Sequence, residues 1–118
     1  MYKIGEISKL CHLPVKTLRY YDSVGLLVPD YVDKITGYRY YSASQLAECN
    51  RIIVLKGLGF SLDEIKQQIY DKSEESIVNM LDEKADELRL LIEKSEGQIH
   101  RLEALKNSLS TGQKMIFN

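Results

Sequence analysis

The sequence predicts a mainly α-helical chain: a winged helix-turn-helix domain with a small β-hairpin wing, then a long helix forming an antiparallel dimeric coiled coil. Three observations carry this. Two short amphipathic stretches, Ile4–Leu10 and Pro14–Asp22, are separated by only Cys11-His12-Leu13. Aromatic and β-branched residues flank turn-forming chemistry at Asp33–Gly37. Apolar residues recur at alternating spacings of four and three from Leu81 to Leu109.

The first helix is expected over about Tyr2–Leu10, with Ile4, Ile7, Leu10 and Cys11 as its packing stripe. Pro14 suits the start of the second helix, where a missing amide hydrogen costs nothing. Leu18 and Tyr21 lie three apart and pack inward, while Lys16, Arg19 and Tyr20 form a separate face of two bases and a phenol. Such a face suits an anion, and the helix–turn–helix plan is one that reads a major groove. Gly25 is expected to end this helix in a left-handed cap, after which Leu26-Leu27-Val28 packs down and Pro29 blocks further helix.

Residues 30–41 read as a hairpin, with alternate residues of Tyr38-Arg39-Tyr40-Tyr41 on opposite sides. In this reading Arg39 and Tyr41 reach outward, to a phosphate backbone or a minor groove. Ser42 and Gln45 form a capping box that opens a third helix. Its buried face is read as Leu46, Cys49, Ile52, Ile53, Leu55 and Leu58, with Lys56 on the far side and Gly57 and Gly59 at its end. Ser61 and Glu64 form a second box, and Leu62, Ile65, Ile69 and Tyr70 face inward from the fourth helix.

After a break at Asp71–Ser73, one helix is expected from about Glu74 to Ser110. Leu81, Ala85, Leu88, Ile92, Ser95, Ile99, Leu102, Lys106 and Leu109 form its heptad seam, widened by Leu91 and Leu105 and interrupted by the two polar residues. A stripe this long needs a partner, and nothing left in the chain can cover it, so a homodimer is expected. Heptads alone do not fix its direction. The expected division is residues 1–72 for the winged domain, 73–111 for the dimerisation helix and 112–118 for a C-terminal tail.

Charge supports the division. Residues 1–60 carry eight Lys/Arg against five Asp/Glu, whereas residues 61–118 carry eight against twelve. The overall charge of −1 therefore hides a basic front half suited to an anionic partner. Seven of the eight tyrosines fall within the first 41 residues, in the same half. Cys11 and Cys49 lack metal-ligand spacing and read as buried thiols in a reducing cytoplasm. No metal or cofactor is expected. Met1-Tyr-Lys leads straight into a helix rather than an apolar run, so neither a signal peptide nor a membrane span is expected. His12 and His100 stand in separate elements, and no nucleophile–base set shares a pocket, which argues against an enzyme. The competing reading is a coiled-coil interaction module that pairs with another regulator.

Five ordered segments sharpen the reading: Ile4-Gly-Glu-Ile-Ser8, Thr17-Leu-Arg-Tyr-Tyr-Asp22, Gly25-Leu-Leu-Val-Pro29, Gly37-Tyr-Arg-Tyr-Tyr-Ser42 and Leu55-Lys-Gly-Leu-Gly-Phe-Ser61. Together, over about residues 2–70, they strongly resemble the MerR family of bacterial transcription regulators, nearest its multidrug-responsive branch. The resemblance implies a homodimer with a winged DNA-binding domain and an antiparallel coiled coil. It implies a pseudo-palindromic site in double-stranded promoter DNA whose spacer is too long. It implies too that an inducer makes the dimer bend and untwist that DNA, and so act on RNA polymerase indirectly, through the promoter. By position, Lys16, Thr17, Arg19, Tyr20 and Tyr21 fall on the recognition helix, Tyr38, Arg39 and Tyr41 on the first wing, and Lys56 at a phosphate-contacting place. The cysteines of metal- and redox-sensing members are missing here. Multidrug members continue into an effector-binding domain, which leaves a small-molecule inducer open for these residues.

Overall fold

A computed structural model of the chain describes residues 1–71 and 73–112. Lys72 and the expected tail beyond Gly112 lie outside the described residues. The elements run β1 (Tyr2–Lys3), α1 (Ile4–Cys11), α2 (Val15–Ser23), β2 (Tyr31–Val32), β3 (Arg39–Tyr41), α3 (Ala43–Gly57), α4 (Leu62–Tyr70) and α5 (Glu74–Ser110). The chain divides into two compact units, Met1–Ser76 and a second beginning at Ile77.

In the first unit, helices surround a small core. Ile7 and Cys11 of α1, Leu18 and Tyr21 of α2, and Cys49, Ile52 and Leu55 of α3 are all buried, each set on one helical face. Leu26, Leu27, Tyr41, Phe60 and Ile65 complete the core. The stripe expected on α1 is narrower than the sequence suggested, because Leu10 lies largely outside it. Val28, expected to pack down, is exposed too. The same holds for Ile53 and Leu58 on α3. Tyr70, expected inward on α4, is 75% exposed. Its place inside is taken by Gln68, a buried polar side chain that hydropathy does not flag.

Three helices end alike. His12, Gly25 and Gly59 have φ of 56°, 74° and 93°, the left-handed region. In each case the next amide reaches back five residues: Leu13 to the Ser8 carbonyl at 3.1 Å, Leu26 to Tyr21 at 2.8 Å and Phe60 to Leu55 at 3.2 Å. These bonds satisfy carbonyls the helix leaves open, and they turn an apolar residue inward immediately after each helix. Starts are equally well specified. The Gln45 amide bonds to Ser42 Oγ at 3.3 Å and the Glu64 amide to Ser61 Oγ at 3.1 Å, so both expected capping boxes form. Gln45 does more than cap. Its Oε1 also accepts from the Asp30 amide at 3.2 Å, and its Nε2 donates to the Val28 carbonyl, tying the segment after α2 to the start of α3.

The first helix begins later than expected. Tyr2 and Lys3 form β1, which pairs antiparallel with β3 (Tyr2 with Tyr41, Lys3 with Tyr40). On its other side β3 pairs with β2 (Tyr31 with Tyr40, Val32 with Arg39), giving a three-stranded sheet of order β1-β3-β2. Asp33 builds the hairpin turn: its Oδ1 accepts from the Ile35 and Thr36 amides at 2.8 and 3.0 Å. The Gly37 amide closes on the Asp33 carbonyl at 2.8 Å with Gly37 at φ 73°.

The second unit is dominated by α5, which begins just before it and runs for 37 residues, about 55 Å at the usual helical rise. No residue of this helix is buried. Leu81, Leu88, Ile92, Ile99, Leu102 and Leu109 are all at least 40% exposed, while Ala85 and Ser95 are half-buried by their own neighbours. The stripe is therefore open along the single chain. No helix among the described residues is long and apolar enough to cross a membrane.

Candidate nucleic-acid interface

Pro14 sets the start of α2. At φ −60° and ψ 144° it stands just outside the helix, and its carbonyl takes the first two amide bonds, from Thr17 at 3.0 Å and Leu18 at 3.2 Å. Burial of Leu18 and Tyr21 then fixes the helix's rotation. That rotation leaves Lys16, Arg19 and Tyr20 exposed and Thr17 half-buried. Tyr21, carried over as a recognition-helix contact, is instead a core residue with 5% of its surface open. Burial, and then the nearby Cys49, push its phenol pKa upward, so it stays neutral.

The wing corrects a second expectation. Arg39 and Tyr41 do share one side of β3, but that side faces the helices. Tyr41 is fully buried and cannot reach outward. Among the described residues its hydroxyl has no hydrogen-bond partner, and its pKa is raised by burial first and then by the negative charge of Asp22. Arg39 lies at the margin of the same side, where its Nε donates to Asp22 Oδ2 at 3.0 Å, an ion pair across 17 residues. The other side of β3 carries Tyr40, whose ring lies 5.8 Å from that of Tyr31. Tyr38, just before β3, is exposed, with Lys3 Nζ 5.4 Å from its ring centre.

Arg19 from α2 and Tyr38 and Arg39 from the wing border one cleft of about 470 Å³. Lys3, Ile4, Gly5, Glu6, Lys9 and Gly37 complete its lining. Four cations against one carboxylate make this an anion-favouring concavity. Lys3 and Lys9 were not picked out from the sequence. The signal for Lys9 was available, since it sits on the face of α1 opposite Ile7 and Cys11. Lys3 needed the β1–β3 pairing, which no local pattern reveals. Lys16, Tyr20 and Lys56 do not line the cleft. Lys56 is exposed in the last turn of α3.

Cys11 and Cys49 are both buried and free. Burial, and then the hydrogen bond that the Cys49 thiol donates to Cys11 beside it, push the Cys49 thiol up to about 12. It is protonated and inert at neutral pH.

Residues 2–71 match the family described as MerR HTH family regulatory protein. The chain belongs to the MerR family. Among curated relatives of this MerR chain, the multidrug-efflux transporter 1 regulator of Bacillus subtilis (strain 168) is 50% identical over 66 residues, which is 56% of this chain and 24% of that protein. The multidrug-efflux transporter 2 regulator of the same organism is 37% identical over 110 residues, 93% of this chain and 37% of that protein. The MerR chain thus spans between a quarter and two fifths of the length of these relatives. A solved structure described as the EcmrR-DNA complex in EcmrR-RPo matches 92% of this chain and 40% of its own, with a TM-score of 0.75 and 31% identity. The resemblance read from the five sequence segments, including its multidrug-responsive branch, agrees with these findings.

Proposed function

We propose that this chain is a sequence-specific transcription regulator that binds a pseudo-palindromic promoter site as a homodimer and alters the conformation of that DNA. One observation carries the reading: Arg19 on the recognition helix and Tyr38 and Arg39 on the wing border a single basic cleft. A duplex engaging α2 in its major groove would meet the wing on its backbone. In this reading Arg19 reads a base edge, with Thr17 and Tyr20 beside it. Lys16, Lys56, Tyr38 and Arg39 hold phosphates, and Lys3 and Lys9 add to the same field.

Residues 1–72 act as the DNA reader and 73–111 as the dimerisation helix, paired through Leu81, Ala85, Leu88, Ile92, Ser95, Ile99, Leu102 and Leu109. Polymerase is reached through the promoter, in the cytoplasm, and the protein performs no catalysis.

Fluorescence anisotropy of the purified chain on its own promoter, against a scrambled duplex and over a salt series, tests this. Preference for the promoter with a steep salt slope is the expected result. Equal weak binding to both duplexes would reject it in favour of a coiled-coil module that pairs with another regulator. The open seam on α5 would serve that second reading equally, and sedimentation of the chain alone separates them.

A further inference from the structure

We propose that Asp22 is a positioning residue for DNA contact, gripping the Nε of Arg39 so that the terminal nitrogens of its guanidinium are set toward the phosphate backbone. The inference rests on the proposed function and deepens it. Asp22 lies in the last turn of α2 and Arg39 opens β3, so their 3.0 Å contact ties the recognition helix to the wing. Both side chains are partly covered, 23% exposed for Asp22 and 37% for Arg39. Arginine carries five N–H donors, and this contact occupies one. Arg39 still lines the cleft beside Arg19 and Tyr38, whereas Asp22 does not. The carboxylate is thus held behind the arginine. Tyr41, wholly buried on the same side of β3, is near enough to feel both charges, Asp22 raising its phenol pKa and Arg39 lowering it.

Charge alone predicts the opposite of what this arrangement predicts. An acidic group on a surface that meets phosphates repels them, so its removal would tighten binding. A pre-set arginine reverses the sign. Without Asp22 the side chain must be ordered at the moment of binding, an entropic cost that weakens association.

The test is anisotropy on promoter DNA with wild type, Asp22→Ala, Asp22→Asn, Arg39→Ala and the Asp22→Ala/Arg39→Ala double variant. Thermal melts confirm that each is folded at the assay temperature. Asp22→Ala should weaken promoter binding about three- to tenfold although it removes a negative charge. Asp22→Asn keeps an oxygen that accepts from Nε and should recover most of that loss. In the Arg39→Ala background, Asp22→Ala should cause no further loss. Should Asp22→Ala fail to fold, Arg39→Lys keeps the charge, lacks Nε, and should show the same loss. Binding by Asp22→Ala as tight as wild type or tighter overturns the proposal, and so does an equal loss in the Arg39→Ala background. Wild-type protein that does not prefer its promoter overturns the proposed function itself, which separates the two failures.

Discussion

Gly59 shows how much a single backbone angle decides. Its φ of 93° ends α3 and delivers Phe60 to the core, and a Cβ added there would meet nothing within 4 Å. Gly59→Ala therefore isolates conformational strain from packing. It should cost about 1–2 kcal/mol, read as a lower urea midpoint with an unchanged m-value. Asp33 acts through its carboxylate. The Thr36 amide, then the Ile35 amide, hold its pKa below the usual carboxylate range. A depressed pKa means that the stabilisation is complete above the unfolded value and is lost as pH falls through the folded one. Amide exchange at Ile35 and Thr36, compared with Asp33→Ala, should lose its advantage only under acid conditions. Cys49 gives the complementary case. With its thiol raised to about 12, a thiol reagent should modify it at the rate of unfolding and not at the rate of a free thiol.

Among the elements, the proposed function gives α2 and α3 contacts of different kinds. If Arg19 meets a base edge in bidentate fashion, about 1–3 kcal/mol of discrimination depends on it. Arg19→Ala should relax sequence preference. Lys56→Ala should weaken all duplexes alike and lower the salt slope by about one unit. Identical losses from both variants on promoter and scrambled DNA would contradict this division. The elements also separate what a sequence can disclose from what it cannot. Helix starts at Ser42 and Ser61 were legible because a capping box is complete within four residues. The left-handed exit at Gly25 was legible from the glycine itself, whereas at the end of α3 the sequence offered Gly57 and Gly59 without saying which turns left-handed. Strand β1 was not legible, because two residues form a strand only when a distant partner supplies the hydrogen bonds. Tyr41 was misread by one bit of information. Alternation says which residues share a face, here Arg39 with Tyr41, but not which face meets the core. Packing of α1 against β3 decides that. Asp22 and Lys3 were missed at the site because each works through a long-range contact, with Arg39 and with Tyr38.

For the molecule as a whole, the open stripe of α5 makes the proposed dimer specific enough to test. In an antiparallel pair with its two-fold axis between Glu93 and Lys94, every seam residue finds a counterpart. Val78 lies opposite Leu109 of the partner, Leu81 opposite Lys106, Ala85 opposite Leu102, Leu88 opposite Ile99 and Ile92 opposite Ser95. This layering predicts that Leu88→Cys and Ile99→Cys proteins will not form disulfide dimers separately but will do so when mixed. A parallel pair would cross-link each variant with itself. Leu88→Asp should abolish promoter binding while the first unit keeps its fold, seen as retained melting of the core without dimer in sedimentation.

The exposed leucines along α5 also bear on gene dosage. Under the proposed dimer each chain brings one reading helix, and only paired chains hold the promoter firmly. While most copies are single, the number of pairs grows as the square of the number of chains made. Promoter occupancy then follows synthesis along a sigmoid instead of a simple saturation curve. Under that dimer a low basal supply of the regulator leaves the promoter empty, and a modest rise in its production carries occupancy across a threshold.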